Sequence, residues 1–321
     1  MNSKSPLILS EDGKSLIKVI NRNITTIDIP DNITSIGDET FSGCSNLTSV
    51  NIPYGVNRIG FGAFSGCSAL KSINMPNSVA EIGESAFDGC TGLQNIAIPQ
   101  SVKKIREWVF FRCSGLTSVV IPDSVTKIGE EAFRGCTDLT SICVSAGNKK
   151  YDSRDNSNAI IETATNKLIL GCATTVIPDS VTDIGRLAFS DCTGLQSIVI
   201  PDSVTAIGRN AFSGCTGLTS ICVSEGNKKY DSRDNSNAII ETATNKIISG
   251  CSTTVIPDSV TVICESAFSG CTGLTSIVIP DSVTEIGCWA FSGCTSLTSI
   301  VIPESVTETG WETFMEGVIL R

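Results

Sequence analysis

Apolar positions in this chain follow two nested periods. Over a few residues they alternate, as in Ile198-Val199-Ile200, which predicts a short strand with Ile198 and Ile200 on one face and Val199 on the other. The alternation ends each time in an Ile-Pro or Met-Pro pair, at Pro30, Pro53, Pro76, Pro99, Pro122, Pro178, Pro201, Pro257, Pro280 and Pro303. The spacing is 23 residues, except for Pro122 to Pro178 and Pro201 to Pro257, where it is 56, or 23 plus 33. A fixed period in this range predicts a solenoid, in which each coil buries its apolar face by stacking on its neighbours.

The segment from Ile198 to Leu218 serves as the type coil. Pro201 has no N–H for a ladder and should close the strand. Asp202-Ser203 then reads as a turn. Val204 and Ile207 follow, then Gly208, Ala211-Phe212, the Ser213-Gly214 turn, Cys215 and Leu218. Two strand isoleucines, Val, Ile, Ala, Phe, Cys and Leu are thus the inward candidates. The phenylalanines at one phase, from Phe41 through Phe87 and Phe212 to Phe314, predict a stacked interior spine.

Ser145 and Ser224 occupy the proline phase, so two coils are 33 residues long and the register is unbroken over about twelve strands. Their extra residues, Gly147 to Asn166 and Gly226 to Asn245, are nearly one sequence twice. Ala159-Ile160-Ile161 and Leu168-Ile169 flank a polar stretch, which predicts a hairpin. Leu7 to Leu9 and Leu16-Ile17, around Gly13, predict another hairpin that caps a sheet edge. In the last coil Thr309 stands for Ile and Gly317 for Cys, the decay expected of a terminal repeat. The expected organisation is one solenoid domain over 1–321, with a hairpin cap at 1–20 and a degenerate repeat at 304–321. The chain stops at Arg321, where another strand would begin, as expected of a natural cap or of a piece of something longer.

Composition narrows the function. The net charge of −10 disfavours nucleic acid, whose phosphates need a basic footprint. No apolar run approaches the roughly 20 residues of a membrane-spanning helix, so membrane insertion is not expected. The first ten residues are too polar for a secretory leader. The protein is therefore expected in the cytoplasm, or at the surface or secreted if a leader has been removed. Nine of the cysteines, from Cys44 to Cys294, lie three residues after a phenylalanine, between apolar positions. Buried thiols, acting as small hydrophobes, are the expectation there.

Catalytic chemistry finds little support. There is no histidine, so Ser-His-Asp and Cys-His arrangements are excluded, and no CxxC pair suggests zinc. The acidic residues after the prolines, such as Asp179 and Asp202, have a turn explanation. The stretches Asp152 to Asn158 and Asp231 to Asn237 lack calcium-loop spacing and read as polar turns. The Asn-x-Thr triplets at Asn23, Asn32 and Asn46 are attributed to composition. Neither an enzyme nor a cofactor is expected.

A binding surface is easier to place. The residue between the two inward strand positions points outward, and along the chain it reads Asp28, Asn51, Asn74, Ala97, Val120, Cys143, Val176, Val199, Cys222, Val255, Val278 and Val301. The outward position before it is mostly serine, including Ser141, Ser197, Ser220, Ser276 and Ser299. A valine stripe beside a serine stripe, polar at its N-terminal end, is the candidate partner-binding face: Val120, Ser141, Val176, Ser197, Val199, Ser220, Val255, Ser276, Val278, Ser299 and Val301. Against this stands the preference of valine for strands as such, with the long-coil hairpins covering part of the face.

These residues together resemble the BspA-type, or Treponema-type, leucine-rich repeat family. Its pattern of Leu-x-x-Ile-x-Ile-Pro, Val-x-x-Ile-Gly, Ala-Phe and Cys is matched by Leu195 to Pro201, Val204 to Gly208, Ala211-Phe212 and Cys215, and the match extends over essentially residues 20–320. Its longer coils with Asn-x-x-Tyr are similar to Asn148 to Tyr151 and Asn227 to Tyr230. The resemblance implies a leucine-rich-repeat solenoid with a parallel β-ladder. It also implies a non-enzymatic binding or adhesion module, displayed on a bacterial or protist surface and directed at a host or matrix protein. The competing expectation is a structural spacer of a larger surface protein, with no binding of its own.

Overall fold

The computed structural model describes residues 7–314 and 318–320. The chain divides between Ser153 and Arg154 into two units, each a stack of parallel β-coils.

In the N-terminal unit, the strands before the prolines form the expected ladder. Thr26–Asp28, Ser49–Asn51 and Ser72–Asn74 pair in parallel with a 23-residue offset, and so do Asn95–Ala97, Ser118–Ile121 and Ser141–Val144. A second parallel ladder, which alternation did not announce, runs through the Val-x-x-Ile-Gly segment: Ser35–Ile36, Arg58–Ile59 and Glu81–Ile82, then Lys104–Ile105 with Lys127–Ile128. Two-residue strands are too short to show a period of their own. The N-terminal hairpin, Leu7–Leu9 with Ser15–Val19, caps this second ladder by pairing with Ser35–Ile36.

The C-terminal unit repeats the plan. Ser197–Ile200 pairs with Ser220–Val223, and Ser299–Ile300 with Ile319–Leu320. The expected long-coil hairpins are present: Ile160–Glu162 with Lys167–Leu170, and Ile239–Glu241 with Lys246–Ser249. They extend the second ladder, toward Asp183–Ile184 and Val262–Ile263 respectively, rather than covering the first. The final coil keeps its place through Glu308–Thr309, paired to Glu285–Ile286; Gly317 lies outside the described residues.

The core follows the inward pattern. In the type coil Ile198, Ile200, Val204, Ala211, Phe212, Cys215 and Leu218 are buried, and Ile207 is partly buried. The phenylalanine spine is continuous from Phe41 through Phe64, Phe87 and Phe110 to Phe133, with ring centroids 4.9–5.6 Å apart. In the C-terminal unit it occurs as the pair Phe189–Phe212 and the run Phe268–Phe291–Phe314. The nine in-phase cysteines are buried. They are more than filler: Cys67 Sγ donates to Phe41 O at 3.2 Å and Cys90 Sγ to Phe64 O at 3.1 Å, so each thiol clips its coil to the one before. Threonines do the same outside, as where Thr205 Oγ1 donates to Thr182 O at 3.3 Å.

Serine replaces proline in the long coils for a visible reason: the N–H of Ser224 donates to Ile200 O at 2.9 Å. Asn227 then anchors the insertion. Its Nδ2 donates to Pro201 O and Val204 O, while its Oδ1 accepts from the N–H groups of Lys229 and Tyr230. All its bonding capacity is used, as a buried amide requires.

Candidate partner-binding face

Alternation in a strand turns every second side chain away from the core, and the proposed face follows that rule. In the N-terminal unit Asp28, Asn51, Asn74 and Ala97 are exposed, and Asn74 Nδ2 donates to Asn51 Oδ1 at 3.1 Å. Val120 is 52% exposed, and Ser141 and Cys143 are exposed. In the C-terminal unit Val176, Val199, Val255, Val278 and Val301 are 55–81% exposed. Ser197, Ser220 and Ser276 lie open beside them with Cys222, and Ser299 is half-buried.

The surface departs from a plain ladder at three places. Residues 175–177, 254–256 and 276–279 keep the alternation but are not paired as strands. At the first two, the long coil's own insertion takes the hydrogen bond: Val176 N–H donates to Ser157 O at 3.1 Å and Val255 N–H to Ser236 O at 3.0 Å. Because the hairpins join the other ladder, they leave the valines uncovered, contrary to the expectation of partial cover. A groove of about 400 Å³ lies between adjacent coils, lined by Thr175, Val176, Asp179, Ser197, Val199 and Ser224.

Turn reasoning on the post-proline acids missed their second property, which is position. Asp179, Asp202, Asp258 and Asp281 are exposed at one phase and border the valine row. The valine surface in this unit therefore has a carboxylate margin. The signal was present in the recurring Pro-Asp-Ser triplet.

Asp231, weighed as a calcium ligand, faces a different cation. Its carboxylate accepts from Arg233 Nε at 2.8 Å and Nη2 at 2.6 Å, and from Thr242 Oγ1 at 3.0 Å. Burial pushes the carboxyl up, but these bonds outweigh it and hold the group below its ordinary range. Arg233 also donates to Asn245 Oδ1, so it fastens the long-coil loop. Among the described residues no cluster of three or more His, Cys, Asp or Glu side chains has a metal-ligating arrangement, and no helix is long and apolar enough to cross a membrane.

Solved structures of similar fold include bacterial proteins. A leucine-rich repeat protein from Eubacterium ventriosum has 23% identity and a TM-score of 0.62, covering 99% of this chain and 94% of its own. The pneumococcal vaccine antigen PcpA has 21% identity and a TM-score of 0.60, covering 95% of this chain and 68% of its own. A leucine-rich repeat protein from Bacteroides ovatus has 28% identity and a TM-score of 0.50, covering 97% and 83%. No curated protein sequence matches the chain. The profile of the BspA type leucine rich repeat region matches six times, over residues 20–140, 169–236 and 244–318. Leucine-rich repeat proteins are in general protein-interaction modules rather than enzymes. With the repeat register, both ladders and the phenylalanine spine in place, the chain belongs to the BspA-type leucine-rich repeat family.

Proposed function

We propose that this protein is a non-enzymatic protein-binding or adhesion module that engages a host-surface or matrix protein through the face bearing Val176, Val199, Val255, Val278 and Val301. The observation that carries this reading is the exposure of those five valines, 55–81%, beside strands such as Ser197–Ile200 and Ser220–Val223 whose other positions alternate between core and solvent. A row of apolar side chains on a soluble surface marks an interaction site.

Magnitudes define the partner further. Fully burying a valine contributes about 1.5–3 kcal/mol, so five half-covered ones give a gross gain on the order of 5 kcal/mol. Association costs about 4–15 kcal/mol. The valines alone therefore give weak capture, and the serines and the carboxylate margin supply the remainder. The fitting partner is apolar at its centre and carries Lys or Arg at its rim, with Asp179, Asp202, Asp258 and Asp281 opposite. Val120 and Ser141 extend the same outward position in the N-terminal unit. Display at a cell surface accords with this role, and one continuous solenoid domain over 1–321 is part of the proposal.

The test is capture of extracellular-matrix and host-surface proteins by the chain and by a Val199→Asp/Val278→Asp double variant of unchanged melting temperature. Loss of capture in the folded variant, with weaker capture by the parent at high salt, supports the reading. Undiminished capture by the variant overturns the face assignment, and no capture by either form favours a structural spacer.

A further inference from the structure

The second long coil has no Ala-Phe corner. Its chain runs from Lys246–Ser249 through Gly250 to Cys251, and the corners on either side of it meet directly. Gly214 N–H donates to Ser269 O at 2.9 Å, Ser213 Oγ lies 3.0 Å from Ser269 Oγ, and Arg209 pairs with Glu265. Touching at that end, the corners stand apart at the other. A cavity of about 180 Å³ is left between residues 207–213 and 264–266, floored by Ile248 and Ser249.

The cavity is lined by main-chain groups that have lost their partners. In a regular corner two N–H groups, two residues apart, donate to the next coil: Leu187 and Phe189 to the carbonyls of Arg209 and Ala211, Ser266 and Phe268 to those of Cys288 and Ala290. Asn210 and Phe212 hold the same phases at the cavity wall, and among the described residues their N–H groups meet no acceptor. Opposite, the carbonyl of Glu265, at the phase that accepts elsewhere, meets no donor among the described residues, while that of Ala267 is taken by Gly250 N–H. The Asn210 Oδ1 is buried without a partner. Buried polar groups are rarely left unbonded, because each forfeits its hydration.

We propose that this cavity binds an extended main-chain segment of a partner protein, about two residues long and built of Gly, Ala or Ser, which supplies the backbone groups that the long coil omits. The occupant follows from the repeat itself, since every regular coil fills this place with its own peptide. The segment's carbonyls accept from Asn210 and Phe212, whose spacing suits a strand rising ~3.3 Å per residue. Its N–H groups donate to Glu265 O and Asn210 Oδ1. Small side chains are required because the cavity offers only about 180 Å³. The mode is strand addition, with main-chain bonds giving affinity and pocket size giving selectivity. It does not depend on the valine face.

The full chain is titrated with acetyl-Gly-Ala-Gly-Ala-amide to millimolar concentration, and its backbone amides are followed by NMR and hydrogen exchange. A peptide with N-methylated amides is the control. In the free protein the amides of Asn210 and Phe212 are expected to exchange faster than those of Phe189 and Phe268. The peptide shifts their signals and slows their exchange by about tenfold, and the N-methylated peptide does neither. Ser266→Trp, which uses a residue already held at the same phase and positive φ by Trp108 and Trp289, covers the mouth and abolishes the response. Val199→Asp leaves the response intact, so failure here is distinct from failure of the valine face. Signals unmoved by the peptide, or moved equally by the methylated control, overturn the proposal. So does full protection of both amides in the free protein, which would mean that ordered water fills the cavity.

Discussion

The phenylalanine spine makes a graded prediction. Phe291 is 1% exposed and stacks on two rings, Phe268 at 5.0 Å and Phe314 at 5.6 Å. Phe212, in the same unit, is 6% exposed, lines the cavity, and among the described residues stacks on Phe189 alone, at 5.2 Å. Truncating a buried phenylalanine to alanine costs about 3–5 kcal/mol through lost burial and the void left behind. Each stacked pair adds about 0.5–1.5 kcal/mol. Phe291→Ala should therefore sit near the top of that range and Phe212→Ala about 1 kcal/mol lower, since it breaks one stack rather than two. The assay is urea unfolding followed by far-ultraviolet circular dichroism, with hydrogen exchange of amides in the C-terminal unit to locate the loss. A cost below about 0.5 kcal/mol for either variant, the level of an unremarkable surface change, would refute the spine as a core element. Equal costs would refute the argument from stacking.

Two further outcomes follow from the packing. Burial pushes the Cys67 and Cys294 thiols up to about 12 and the Cys264 thiol to about 11, from an ordinary 9.0, and raises Cys90, Cys113 and Cys192 as well. The unfolded chain then loses these protons first, so the stability they confer is full below pH 9 and falls as pH rises from there toward 12. The melting temperature should drop steeply above about pH 9 and less so in Cys90→Ala; a flat profile to about pH 11 contradicts it. Separately, Gly250→Ala places a Cβ 2.2 Å from Phe268 Cε1 and should destabilise by about 1–3 kcal/mol in thermal or urea unfolding, whereas an unchanged midpoint would show that the ring has room to move.

Much of this architecture was legible in the residues because repetition multiplies weak signals. One short alternating segment ending in Ile-Pro or Met-Pro is an ambiguous strand; ten in one register fix spacing, inward face and outward face together. The long-coil hairpins were legible for the same reason, being written twice. The second ladder was not, since a pair such as Arg58-Ile59 carries no alternation and is defined by its neighbours' hydrogen bonds. Nor did periodicity reveal where the hairpins go. Ser157 and Ser236 accept from the valine segments through main-chain carbonyls, which side-chain patterns do not report. The missing corner is a similar case: the absence of Phe from the long coil can be read from the chain, but the unmatched N–H groups of Asn210 and Phe212 emerge only when coils are stacked. At the candidate face, the valines and serines were legible from their alternation, and the folded structure added the acid margin.

The outward strand position holds cysteine twice, at Cys143 in the N-terminal unit and Cys222 in the C-terminal unit. Both side chains are exposed, while the remaining cysteines are buried or half-buried. One accessible attachment point thus lies on each unit, at the outward strand position proposed above for partner binding. A maleimide spin label or fluorophore, under conditions that spare the shielded thiols, would mark the unmutated protein at these two sites. The distance between the labels, followed as a candidate partner is added, would act as a built-in ruler for any change between the two labelled strands.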